Sequence, residues 1–302
     1  MAAGRTATAV AFGPGAVPYA VEPAAVVEPH LDPALAGCPN VRPVARRLGP
    51  GPRRRLAWLA GPLALLLLWT VCSATGLLDP RILSEPWTVS STAGELIADG
   101  RLQENLAISA QRAFLGLFFG ILAGALLALV AGLSRIGEAL IDGPVQIKRA
   151  IPGLALIPLL ILWFGIDETM KVLTITLGVF VPIYLQTHAG LRGIDLRYVE
   201  LAQTVGLNRA SFVRRVVLPG ALPGFFLGLR FAVTGAWVSL VVVEQINSTS
   251  GIGYMMELAR TYGQTNIIVL GLAVYGLLGL LSDAAVRLLE RKALAWQRTL
   301  AG

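Results

Sequence analysis

The chain has 302 residues, of which 55% are apolar and only 14% charged, against roughly a quarter charged in an ordinary soluble protein. With a mean hydropathy of +0.68, this composition excludes a disordered chain, a nucleic-acid-coating basic protein and most soluble enzymes. The net charge of +7 comes with only two cysteines, Cys38 and Cys72, and two histidines, His30 and His188, so neither a disulfide framework nor a metal-ligand spacing exists.

Residues 1–55 are rich in Ala, Pro and Gly, with Pro14, Pro18, Pro23, Pro29, Pro33, Pro39, Pro43 and Pro50 scattered without period. Proline at that density blocks helix interiors, so a disordered arm is expected there. Arg53, Arg54 and Arg55 precede the first long apolar run, which is the flank of a retained, cytosol-first span rather than of a cleaved signal.

Crossing the hydrocarbon takes about 20 apolar residues. Six stretches approach that length: Leu56–Leu78, Ala107–Leu133, Pro144–Gly165, Val172–Leu191, Leu222–Gln245 and Asn266–Leu288. The third is the weakest, being interrupted by Lys148 and Arg149. The sequence thus divides into the arm (1–55), a first span with an external segment (56–106), a transmembrane core (107–290) with a cytoplasmic loop at 195–220, and a tail (291–302). On alternate sides of the six spans, Lys and Arg number 19 and 4, with Arg112 and Arg230 inside spans. That asymmetry places both termini in the cytoplasm of a multi-pass plasma or inner membrane protein and accounts for most of the net charge.

In the second span Gly116, Gly120, Gly124, Ala128 and Gly132 recur every four residues, which gives one helix face a close-approach seam. Pro152, Pro158 and Pro182 should interrupt the third and fourth spans, marking them as candidates to line a pathway. The ionisable groups in or at the edge of spans are Arg112, Arg230, Glu244 and Asp283. Arg112 and Asp283 fall near span ends and read as interfacial. Arg230, deeper, and Glu244, at the outer mouth, are candidates for a pathway or gate, together with Trp237.

Between the fourth and fifth spans lies the most specific text, from Tyr198 to Pro219. It reads as two short helices joined at Gly206, which permits a left-handed turn, with Leu201, Val205, Phe212 and Val216 giving apolar faces. Leu218-Pro219 should end the second helix. Such a helix–turn–helix suits a partner's groove. It also mimics a DNA-reading motif, but only a few residues separate each end from a span, which keeps it from a major groove. Beyond it, Gly251 and Gly253 should allow a sharp outer re-entry, with Tyr254–Leu258 as a short amphipathic surface helix in an external gate.

Glu200-Leu201-Ala202, three residues, Gly206, nine residues, Val216, one residue and Leu218-Pro219 resemble the EAA loop of ABC-importer permeases, with Leu201 and Val216 as apolar exchanges. Ile151-Pro152, Pro158–Gly165, Ala236-Trp237 and Gly251–Tyr254 are similar to the subgroup that carries aliphatic sulfonates, taurine, nitrate and related small solutes. The resemblance spans about Ala107–Trp296. It implies an all-α membrane protein of about six transmembrane helices with the type I importer permease architecture. It also implies a non-catalytic subunit that binds no cofactor, with ATP and Mg²⁺ held by two separate ATPase subunits. The chain itself has no phosphate loop, since Gly-Lys never occurs. An external solute-binding protein and a second permease chain, expected as a homodimer, complete the implied assembly in the bilayer, without nucleic acid. Glu200 would anchor the loop in an ATPase cleft, Ala202 would form the close contact, Gly206 the turn, and Leu218-Pro219 the hand-off to the membrane. A secondary transporter or channel of six spans is the alternative reading, and a membrane-tethered DNA-binding regulator the third.

Overall fold

The computed structural model describes residues 57–296; the arm and the last six residues lie outside that range. Among the described residues every regular element is helical. In chain order they are α1 (Ala57–Ala74), α2 (Pro86–Ala98), α3 (Arg101–Leu133), α4 (Arg135–Ala150), a 3₁₀ turn (Gly153–Leu156), α5 (Ile157–Phe164), α6 (Glu168–Arg192), α7 (Leu196–Thr204), α8 (Arg209–Phe212), a π turn (Val213–Val217), α9 (Leu218–Asn247), α10 (Ile252–Thr261) and α11 (Thr265–Ala293).

Among the described residues four helices are long and apolar enough to cross a membrane: α3, α6, the continuous Arg209–Ile246 rod that includes α9, and α11. The first expected span is shorter than anticipated. Helix α1 has 18 residues and its leucines from Leu63 to Leu68 are mostly exposed, as a peripheral lipid-facing helix requires. The third expected span is not one helix. Helices α4 and α5 meet at 95°, because Ile151 takes an extended conformation ahead of Pro152, which cannot continue the helix.

Helix α6 is the centre of the bundle, held between α3 and α9. The glycine stripe of α3 faces it: a Cβ at Gly120 would lie 2.6 Å from that of Val179, and one at Gly124 would lie 2.8 Å from Ile183 Cγ2. The seam is therefore close packing, with backbones nearer than any side chain would allow. On its other side α6 meets α9 through glycines again, Gly190 against Gly224 and the Pro182 carbonyl against Gly228. Pro182 was expected to break this span. Instead it sits inside an unbroken α6, its surroundings filled by α9.

Helix α4 explains why the third span looked weak in the sequence. Ser134 caps it, accepting from the Gly137 amide at 3.2 Å, and Glu138 near its start and Lys148 and Arg149 in its last turn suit the helix dipole. It climbs antiparallel beside α6. Glu138 pairs with Arg192, Tyr184 donates to Asp142 at 3.4 Å, and Lys148 donates to the Leu177 carbonyl at 2.5 Å. Lys148 thus lies near the middle of α6 and not at the cytoplasmic edge to which the charge count assigned it.

Candidate functional site

Two groups of residues stand out: a charged cluster buried at one end of the bundle and a capped loop at the other. The cluster is built on α3, where the face carrying the small residues continues toward the N-terminus as Arg112, Ser109 and Asn105, at steps of four, three and four. Arg112 is buried within the protein. Its Nε and Nη2 fork onto the Glu168 carboxylate at 2.7 and 2.6 Å, while Nη1 reaches Glu244 Oε1 at 2.7 Å. It also donates to the Ser250 carbonyl at 2.7 Å. One guanidinium therefore ties α3 to α6, to α9 and to the loop before α10.

Glu244 has no exposed side-chain surface. It accepts from Ser109 Oγ at 2.9 Å, from the Gly253 amide at 2.9 Å and from Tyr275 Oη at 3.0 Å, besides Arg112. A buried carboxylate survives only when its lone pairs are met in this way. The glycines beside it have a clear role. Gly251 takes a φ of 109°, and a Cβ there would collide with the Glu244 carboxylate; at Gly253 it would lie 2.6 Å from Glu244 Cβ. The loop closes over the carboxylate because neither residue has a side chain. The Gly251 amide donates to Asn105 and the Ile252 amide to Ser109, at 2.8 and 2.9 Å, which seats α10 on α3. Helix α10 is accordingly no surface helix: Ile252, Met255, Met256 and Ala259 are buried between α9 and α11.

The four charges that the sequence placed in or at the edge of spans fall into pairs. Arg112 meets Glu244, and Arg230 meets Asp283 at 3.5 Å between α9 and α11, with Arg287 also on Asp283. Trp237 is buried, its indole donating to Ser282 at 3.2 Å and its ring edge-on to Tyr275. Trp237 therefore fastens α11 to α9. Reading the sequence missed Glu168, Lys171, Ser109 and Tyr275. The polar run along the α3 stripe was the available signal for Ser109; the other three come together only through the fold.

The loop at the opposite end is built by three local signals. Asp195 caps α7 through the Arg197 amide at 2.9 Å, and Asn208 caps α8 through the Ser211 amide at 2.8 Å. Between them Gly206 has a φ of 70°. The Leu207 amide donates to the Ala202 carbonyl at 2.9 Å and the Gly206 amide to the Gln203 carbonyl at 3.0 Å, the paired bonds that close a helix on a left-handed residue. Glu200 is exposed, and so are Tyr198, Leu201 and Val205 at helical spacing. Ala202 is buried against the protein's own body, whereas Glu200 and Leu201 are exposed. Val216 is half-buried, and Leu218 is exposed.

Leu218-Pro219 was expected to end the second helix. Here Pro219 stands in the first turn of α9, and the helix runs through it from Arg209 to Ile246. A π turn makes this possible: the Leu218 amide reaches back to the Val213 carbonyl, an i to i−5 bond that shifts the ladder where proline removes a donor.

Residues 116–294 match the family model described as binding-protein-dependent transport system inner membrane component. The chain belongs to that family. It is a multi-pass membrane protein of the ABC-importer permease type, which displaces the DNA-binding and secondary-transporter readings. It is 39% identical over 272 residues to a Bacillus subtilis (strain 168) protein named as the aliphatic sulfonates transport permease SsuC, covering 89% of this chain and 98% of the relative. The Escherichia coli (strain K12) SsuC is 44% identical over 235 residues, covering 78% and 89%. The taurine transport system permease TauC of the same strain is 33% identical over 251 residues, covering 80% and 90%. A crystal structure of an amino acid ABC transporter with histidines shares the fold, with a TM-score of 0.55 at 19% identity over 66% of this chain and 97% of that one.

Proposed function

We propose that this chain is the membrane-spanning subunit of an ATP-driven importer for small organic anions of the aliphatic sulfonate and taurine class. Two copies form the path. ATP hydrolysis resides in two ATPase subunits, and an external binding protein delivers the solute. Both termini face the cytoplasm, and the loop from Asp195 to Val217 is the contact with the ATPase.

The observation that carries this reading is α7. Helices 9 residues long are marginal alone, yet this one is capped at both ends and presents Tyr198, Leu201 and Val205, each more than half exposed, beside Glu200. An apolar face with one carboxylate, held at a fixed angle between α6 and α9, suits insertion into a groove. The solute class is supported by the relatives described above, which are named for aliphatic sulfonates and taurine. The test is uptake of ethanesulfonate and taurine by the complex of this chain with its co-purifying ATPase and binding protein in sealed vesicles. ATP-dependent uptake that is lost without the binding protein supports the proposal. Uptake by the chain alone, driven by an ion gradient, refutes it.

A further inference from the structure

Halfway along the bundle a cavity of about 390 Å³ opens where α4 breaks. Its walls come from the break itself (Lys148 to Leu154), from Thr174, Gly178 and Pro182 of α6, and from Thr234, Gly235 and Ser239 of α9. Leu177, which accepts from Lys148, is the tenth residue of α6. At about 1.5 Å per residue that places the ammonium some 14 Å from the end carrying Glu168, near the midplane of a core about 30 Å thick.

The charge balance of this cavity is one-sided. Lys148 and Arg149 line it, and no Asp or Glu does. Elsewhere in the bundle the buried cations face carboxylates: Arg112 has two, and Lys171 meets Glu168 at 2.7 Å. Lys148, half-buried, has among the described residues only a main-chain carbonyl. An ammonium at membrane depth without a counter-charge is costly and marks a water-filled or ligand-filled place, and a broken helix is tolerated there for the same reason.

The room is provided by residues without side chains. A Cβ at Gly178 would lie 2.7 Å from Ser239 Oγ; one at Gly153 would meet nothing within 4 Å, and one at Gly235 nothing nearer than 3.7 Å. The volume suits a small solute, and the lining combines cations, hydroxyls and short apolar walls.

We propose that this cavity is an anion-binding station within the translocation path, in which Lys148 supplies the counter-charge to the head of a small organic monoanion and Gly235 keeps the space open. The choice of a sulfonate as probe rests on the importer reading. The station itself rests on the cavity and its unmatched charge.

The experiment is equilibrium binding of radiolabelled butanesulfonate to the complete complex in lipid nanodiscs, without binding protein. Wild type and Lys148→Arg should bind saturably. Lys148→Met should bind at least tenfold more weakly, and Gly235→Val, whose Cβ meets nothing nearer than 3.7 Å, should lose binding while still assembling with the ATPase. The uncharged butanesulfonamide should not compete. Wild-type affinity in Lys148→Met, equal competition by the neutral analogue, or no saturable binding of butanesulfonate, nitrate or any other monoanion to wild type overturns the station. If nitrate or another monoanion binds in a Lys148-dependent way while sulfonates do not, the station stands and the sulfonate reading falls. If ATP-driven sulfonate uptake persists unchanged in both variants, the importer reading stands and the station falls.

Discussion

Gly206 offers a perturbation that separates coupling from folding. Its φ is 70°, and a Cβ placed on it would meet nothing within 4 Å. Any cost of substitution is therefore backbone strain, not collision. For an L-residue in the left-handed region that cost is about 1–2 kcal/mol, and for a β-branched residue it is larger still. At 1.4 kcal/mol per factor of ten, Gly206→Val should lower the population of the native turn by about tenfold or more. Helix α7 has nine residues and too few constraints of its own to hold its direction. The bundle, however, rests on the glycine contacts among α3, α6 and α9, far from this turn. We expect Gly206→Val to insert and to keep its melting temperature, while ATP-dependent uptake and binding-protein-stimulated ATP hydrolysis fall by about tenfold. Gly206→Asn, which tolerates the left-handed region, should stay within about twofold of wild type. Uptake and hydrolysis normalised to assembled complex decide the matter. Full uptake with the valine, or equal loss with asparagine and valine, would show that the turn geometry carries no coupling.

Three further outcomes follow from the same contacts. Arg112→Met leaves Glu244 buried without its cation, a loss of about 3–5 kcal/mol, and adding Glu244→Gln should recover part of it; thermal melts in detergent that show simple additivity would contradict the pairing. Gly120→Leu should prevent assembly by forcing α3 from α6, whereas Gly94→Leu, which points into open space, should be silent; recovery of assembled complex on size exclusion reports both. In a background lacking Cys38 and Cys72, a cysteine at the exposed Thr249 should react with an impermeant thiol reagent on intact cells, and one at Ala210 only after permeabilisation. The reverse pattern would invert the topology.

The capped loop was legible in the sequence because its signals are local. Gly206 is legible as the turn from its place between two short helical runs; Asp195 and Asn208, which cap those helices through amides two and three residues on, are equally local signals that reading the sequence missed. The α3 stripe was legible as a seam, though its partner α6 was not. What escaped was long-range. Arg112 meets Glu168 across 56 positions and Glu244 across 132, and no periodicity encodes such a meeting. Pro219 misled because the pre-proline rule describes an α-helix, and the chain answered with a π turn. Lys148 misled because a cation between apolar runs normally marks a membrane edge, whereas α4 folds back and carries it to mid-depth.

The rod from Arg209 to Ile246 has 38 residues, about 57 Å at 1.5 Å per residue. One end of it is the turn beside α7, and near the other Glu244 is locked to Arg112. Such a rod acts as a lever. A tilt of about 10° about one end sweeps the other through roughly 10 Å, several times the reach of a hydrogen bond. If a groove closing around α7 moves this lever, Arg112 and Glu244 are carried together, because α3 is fastened to α6 and α6 to α9 by their glycine contacts. Because α6 is fastened to α9 backbone to backbone, it must travel with the lever. The stroke is then spent on the contacts at the rim of the bundle, while its centre turns as one piece.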